Sequence, residues 1–154
     1  MKHQLTVRVY GLIMNENHVL VSDETYAGIN MTKFPGGGLE FGEGPMDTLK
    51  RELMEELNIE IESAKHFYTT DFFQASAFHQ STQIISIYYS VEIKNPDFIK
   101  ASKNSTAIFS GDNNQHFFRW ISIENVNENL MSYPIDKHVA KLISDHYNSL
   151  DKPI

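Results

Sequence analysis

PGGGLEFGEGPMDTLKRELMEELNI, running from Pro35 to Ile59, decides how the rest of the chain is read. Its first half is glycine-rich and predicts neither a regular helix nor a central strand, because glycine weakens both. Its second half predicts a helix. Pro45 suits the first turn, where its missing N–H costs nothing. Met46 to Leu57 then supplies strong helix formers and no glycine. Met46, Leu49, Leu53 and Leu57 fall on one apolar stripe, and Glu52, Glu55 and Glu56 project together from a different side. Carboxylates this close repel one another and weaken a helix. Two readings compete at this point. The acids form either a solvated face, partly offset by Lys50 and Arg51, or a seat for a hard divalent cation with oxygen ligands.

Composition narrows the class. At 154 residues the chain is read as one domain, 1–154, long enough to bury a core. A hydrophobic content of 41% and a charged content of 21% are those of an ordinary globular protein. Cysteine is absent, which removes disulfides, thiolate metal sites and a cysteine nucleophile. No apolar run approaches a membrane span, and Met1-Lys2-His3-Gln4 opens no apolar leader, so a cytoplasmic location is expected. The net charge of −7 argues against a nucleic-acid backbone binder, although a bound cation would still let an anionic nucleotide in.

Leu5 to Met14 reads as a strand buried on both faces in its second half, and Asn15-Glu16-Asn17 as a turn into a second strand, His18 to Ser22. Asp23 to Thr32 reads as a polar loop. Beyond this predicted helix, Ile59 to Ile61 opens a strand region and Lys65 to Phe73 continues it. Gln74 to Thr82 reads as a hairpin tip, and Gln83 to Ile93 as a central strand. Asn95 to Gln115 is a long polar loop of the kind that carries function or mobility. His116 to Ile121 is the last strand, and Ser122 is a candidate cap for a short helical turn. Pro134 opens a terminal helix through about Leu150, with Ile135, Val139, Leu142, Ile143 and Tyr147 on one face. Strands on both sides of a helix, followed by a terminal helix, predict an α/β fold with a mixed central sheet.

The loop in front of the helix settles the competition over the acids. Gly37, Glu43 and then Arg51-Glu52-Leu53-Met54-Glu55-Glu56-Leu57-Asn58-Ile59 resemble the Nudix box: Gly, five residues, Glu, seven residues, Arg-Glu, an aliphatic, any residue, Glu-Glu, any residue, Gly, an aliphatic. Asn58 replaces the last glycine and is the commonest substitute for it at a left-handed helix C-cap. Phe34-Pro35-Gly36-Gly37-Gly38 and the Trp120 to Glu124 stretch are also similar to the family. The chain departs from it at Ser22-Asp23-Glu24, where relatives often carry a basic residue, and at Met31-Thr32-Lys33-Phe34, which lacks a tryptophan.

The resemblance implies an α/β/α sandwich with the box as loop–helix–loop. It makes Glu52, Glu55 and Glu56 the metal-binding acids for Mg²⁺, with Mn²⁺ a substitute, and a backbone carbonyl at Gly37 would complete the shell. Glu52 and Glu56 are the catalytic candidates; the general base is one of these, or an acid of the later loop such as Asp112, or Asp97. Glu43 and Arg51 are expected to tie loop to helix, since arginine cannot ligate a metal. Glu40 is either a supporting acid or solvated, and Lys33 is a candidate phosphate contact. Tyr26, Phe41, Phe72, Phe73, Phe78 and Tyr88 would offer a stacking surface, although most are expected in the core. The seven histidines are read as structural or exposed.

The implied activity is pyrophosphohydrolysis of a nucleoside diphosphate linked to another group, such as ADP-ribose or a nucleotide sugar. The alternatives are a nucleoside triphosphate sanitiser and, in a different class, a silent nucleotide sensor. The expected partner is a nucleotide-containing small molecule, with no nucleic acid or membrane, and a homodimer follows from family habit.

Overall fold

The first strand, β1 (Gln4–Asn15), is buried from Val9 to Ile13, and the other strands of the first unit assemble around it. The structure is a computed structural model and describes residues 2–150. Two compact units emerge. The first takes the residues up to Ile13 together with Pro35–Pro96; the second takes Met14–Phe34 together with the residues from Asp97 onward.

In the first unit β1 is flanked by β6 (Thr82–Ile93) and β4 (Gly36–Gly38), with β5 (Ile61–Thr69) beyond β6. β1 and β6 run parallel from Gln4↔Thr82 to Ile13↔Val91, whereas β4 and β5 are antiparallel to their neighbours, so the sheet is mixed. The parallel pairing needs a long crossover, and helix α1 (Pro45–Leu57) lies within it. Leu49 and Leu53 are fully buried, as the apolar stripe requires. Gly11 lets them approach: a Cβ there would sit 3.4 Å from each and 3.3 Å from Val91. Asp47 accepts the Gly44 N–H at 2.9 Å at the helix start. Asn58 ends the helix in the left-handed conformation (φ 53°, ψ 44°), with its N–H on the Met54 carbonyl, as the sequence predicts.

The glycine-rich segment differs from expectation. Gly36–Gly38 forms a short strand against β1 rather than an irregular loop. The ladder explains why glycine is tolerated here: only three residues pair, and a Cβ would collide with Val9 and Tyr10 of β1 at Gly36 and with Glu52 of the helix at Gly37.

In the second unit β2 (His18–Tyr26) pairs antiparallel with β3 (Ile29–Lys33) and with β8 (His116–Ser122), and β7 (Ala101–Ser102) adds a parallel partner to β8. The last residues of β1 join β2 through Met14↔Val19 and Asn15↔His18. The expected loop over Asp23–Thr32 is corrected to a hairpin. β2 runs on to Tyr26, and Ala27 and Gly28 turn the chain with φ of 50° and 76°. Two successive positive φ values suit a tight hairpin turn, but Ala27 hides the signal that Asn-Gly would give. Helix α2 (Pro134–Leu150) buries Ile135, Val139 and Ile143 on one side, as its periodicity predicts. Ser122 precedes a 3-10 turn, Ile123–Asn125, without making the side-chain cap expected of it. The α/β class, the mixed pairing and the terminal helix agree with the sequence reading. Among the described residues, no helix is long and apolar enough to cross a membrane.

Candidate active site

Arg51 is the hub of the box. Its Nε donates to Glu43 Oε1 at 2.5 Å and its Nη2 to Glu43 Oε2 at 3.0 Å, a two-pronged pair that ties loop to helix. Glu43 also accepts from Thr48 Oγ1 at 2.8 Å and from the Glu40 N–H at 3.1 Å. The guanidinium of Arg51, first, and these further donors hold the Glu43 carboxyl at about 2, well below the usual carboxylate range. Arg51 is itself held more firmly protonated than usual, chiefly by Glu43. Its remaining N–H groups reach the Gly38 carbonyl at 2.9 Å, Glu52 Oε1 at 2.9 Å and Glu55 Oε2 at 3.5 Å. Glu40 lies at the edge of this network, 3.9 Å from Arg51 Nη1 and largely exposed.

Glu52 packs against Gly37 so closely that a Cβ there would fall 2.2 Å from Oε1. Glu56 reaches Gly36 instead, accepting its N–H on Oε2 at 3.1 Å. Gly36 has φ of 142°, and a Cβ there would lie 2.1 Å from the Val9 carbonyl oxygen. The β1–β4 register decides where the carbonyls face. Bonds from Gly11 N–H to Pro35 O and from Leu39 N–H to Val7 O make Val9↔Gly37 a bonded pair between them, so the Gly37 carbonyl is directed at Val9. The polar groups of Gly36 and Gly38 turn away from β1, toward Glu56 and Arg51 respectively.

Three carboxylates therefore crowd the C-terminal half of α1, the negative end of its dipole, and the last turn has no basic residue. Arg51 compensates part of this charge. The donor set of carboxylates and backbone carbonyl is all oxygen, which fits a hard divalent cation such as Mg²⁺. Gly37→Ala tests the packing: the new methyl displaces Glu52, and turnover is expected to fall on the order of 10²-fold, since an ångström of misplacement has that effect. An alanine variant with wild-type turnover would show that Glu52 need not sit there.

Lys33, Asp97 and Asp112 belong to the second unit. Lys33 is buried in the second unit, 3.4 Å from Glu24 Oε1, and Glu24 Oε2 lies 3.0 Å from His116 Nδ1. Asp97 belongs to the 3-10 turn Pro96–Phe98. Asp112 is exposed, its N–H bound to Ser110 Oγ at 3.1 Å, beside Gly111 with φ of 80°, as in a turn. The expectation that most named aromatics are core residues is corrected: Tyr26, Phe41, Phe72 and Phe73 are exposed, and Tyr88 alone of the six is fully buried.

Sequence reasoning missed two groups. Asp23 and Arg119 form a fully buried ion pair in the second unit. A lone arginine inside the apolar strand HFFRWIS is the signal that would have found it, because a buried charge needs a partner. Arg8 was also passed over; it stands opposite Gly38 on β1.

Residues 2–143 match the family model for the NUDIX domain. No curated protein matches the chain by sequence. Among solved structures, the chain is similar to the Escherichia coli ORF135 protein, with 17% identity, coverage of 98% of this chain and 96% of that one, and a TM-score of 0.69. A NUDIX hydrolase from Nitrosomonas europaea is similar at 16% identity, with 97% and 92% coverage and a TM-score of 0.63. A MutT structure from work on Aliivibrio salmonicida and Vibrio cholerae gives 17%, with 93% and 99% coverage and a TM-score of 0.61. Likeness at this identity is a likeness of fold.

Proposed function

The chain belongs to the Nudix family of hydrolases of phosphoric anhydride bonds in nucleotide-derived small molecules, and on that premise we propose a Mg²⁺-dependent pyrophosphohydrolase acting on a nucleoside diphosphate joined to a second group, ADP-ribose or a nucleotide sugar. The convergence of Glu52 on Gly37 and of Glu56 on the Gly36 N–H, with Glu55 beside them on Arg51, carries the proposal. We take the whole chain to work as one Nudix domain, consistent with a family match that runs through both units.

Glu52, Glu55 and Glu56 would hold the cation. The ladder register favours the outward carbonyl of Gly36 over that of Gly37 as the backbone ligand. A bound divalent cation supplies charge neutralisation on the diphosphate and a more acidic water. The protein's own part is positioning. Arg51 and Glu43 fix the loop against α1, Gly37 leaves room for Glu52, and the Gly36 N–H orients Glu56. Glu56 or Glu52 accepts the proton of the attacking water in this reading, with Asp112 the remaining candidate. The water's oxygen joins a phosphorus and the bridging oxygen leaves with a phosphate, giving a nucleoside monophosphate and a second phosphate. A cytoplasmic location suits such a substrate.

The test is phosphate-release turnover with Mg²⁺ or Mn²⁺ across ADP-ribose, nucleotide sugars, dinucleoside polyphosphates and nucleoside triphosphates. Metal-dependent hydrolysis of the diphosphate-linked class is the expected result. Turnover confined to triphosphates would replace it with the sanitising activity. Nucleotide binding with no turnover on any member would replace it with a sensor.

A further inference from the structure

Seven residues, Gly44 to Lys50, separate Glu43 from Arg51 and lie outside the fixed positions of the box. Of these, Thr48 and Leu49 are fully buried. Leu49 packs toward Gly11 on the apolar stripe. Thr48 is there for a different reason. A β-branched residue loses side-chain freedom in a helix, and a buried hydroxyl needs an acceptor. Two acceptors lie in reach of Thr48 Oγ1, the Gly44 carbonyl at 3.2 Å and Glu43 Oε2 at 2.8 Å. The hydroxyl has one proton to give. The Gly44 carbonyl already accepts the Thr48 N–H at 3.1 Å, whereas Glu43 Oε2 is closer and belongs to an ionised carboxylate, so the proton goes to Glu43.

Glu43 passes this restraint on to the acids of the helix. Arg51 Nε and Nη2 hold its two oxygens, and Nη2 also donates to the Gly38 carbonyl. The remaining nitrogen, Nη1, donates to Glu52 Oε1 at 2.9 Å and to Glu55 Oε2 at 3.5 Å. A guanidinium is planar and rigid, so the pose of Glu43 along one edge sets where Nη1 falls on the other. Each bond from Nη1 occupies a carboxylate lone pair that a cation would otherwise take. The more of the Arg51 charge Glu43 neutralises, the less of it rests on Glu52 and Glu55. Besides Arg51, two donors fix Glu43 Oε2. The Glu40 N–H lies on an exposed turn, and the Thr48 hydroxyl comes from a helix position that is fully buried.

We propose that Thr48 is a positioning residue for cation binding: its hydroxyl fixes Glu43 against Arg51, which leaves Glu52 and Glu55 to the metal. Thr48 acts through Glu43 and Arg51 rather than by touching the ion or the substrate. The inference rests on the cation-binding part of the reading above and not on the identity of the substrate.

Mn²⁺ binding to the full chain without nucleotide, followed by the EPR signal of the free ion, tests it. Thr48→Val keeps the branched shape and removes the hydroxyl. Mn²⁺ binding about tenfold weaker is expected, the lower end of the effect of disturbing groups that orient metal ligands. Thr48→Ser returns the hydroxyl and should restore the affinity. Glu43→Gln removes the charged acceptor, and adding Thr48→Val to it should weaken binding no further, because both changes act through one contact. Melting curves serve as the control for folding, and Thr48→Ala, a better helix former, carries the same expectation where valine disturbs the fold. Wild-type affinity in the valine and alanine variants would overturn the assignment. So would equal weakening in valine and serine, or independent effects in the double variant. Phosphate release measured on the same proteins separates this from the hydrolase reading. Hydrolysis with unchanged Mn²⁺ affinity in Thr48→Val would remove the role of Thr48 and leave the hydrolase standing. The expected Mn²⁺ series without hydrolysis of any nucleotide would keep the role of Thr48 and remove the hydrolase. A wild-type chain that binds no Mn²⁺ would overturn both.

Discussion

Glu56→Gln is expected to lower metal-dependent turnover by about 10²–10⁴-fold, the range for removing a group that moves a proton or holds charge at the reacting centre. Glutamine keeps the length and shape of the side chain, and its amide oxygen can still accept the Gly36 N–H that Glu56 Oε2 accepts at 3.1 Å. What it removes is one negative charge from a crowded helix end. That loss relieves repulsion with Glu52 and Glu55, so thermal stability should stay level or rise slightly while activity collapses. Phosphate release measured beside a melting curve separates the two effects. Wild-type turnover in the glutamine variant would remove Glu56 from the chemistry. A large drop in melting temperature together with the loss of activity would assign it a structural role instead.

Arg119→Met is expected to cost about 3–5 kcal/mol of stability, because it leaves Asp23 charged and uncompensated in the core. Arg119 is 1% exposed and Asp23 0%. The two share a double contact, through Nε to Oδ2 and through Nη2 to Oδ1 at 2.9 Å. Asp23 also accepts from Thr32 Oγ1 at 2.7 Å and from the Ile108 N–H at 3.0 Å, while Arg119 Nη1 reaches the Ser105 carbonyl at 2.9 Å. The pair thus pins the long loop that follows β7 to the sheet of the second unit. Urea unfolding should show the loss, and amide exchange at Ile108 should quicken beyond that of β8. Replacing both charges by apolar residues should restore much of the stability, since the cost lies in the orphaned charge rather than in the pair. A single variant within about 0.5 kcal/mol of wild type, the range of ordinary surface changes, would show that the pair is not the anchor.

The Pro35–Ile59 stretch by itself determined the family, the helix and the identity of the clustered acids. These are local properties. Helix spacing brings Glu52, Glu55 and Glu56 together whatever the rest of the chain does, and Asn58 caps the helix by its own left-handed backbone. The long strands and α2 were legible for the same reason, since their apolar periods are written into consecutive residues. The β2–β3 hairpin was not, because its turn uses Ala27-Gly28, and its strands carry Asp23, Glu24 and Asn30, which read as loop until their partners are known. Only tertiary structure brought Asp23 to Arg119 across 96 positions, buried Lys33 against Glu24, and set Arg8 opposite Gly38. It also decided which carbonyls of the glycine run face outward. That choice depends on the pairing register with β1, and a shift of one residue would exchange Gly37 for its neighbours.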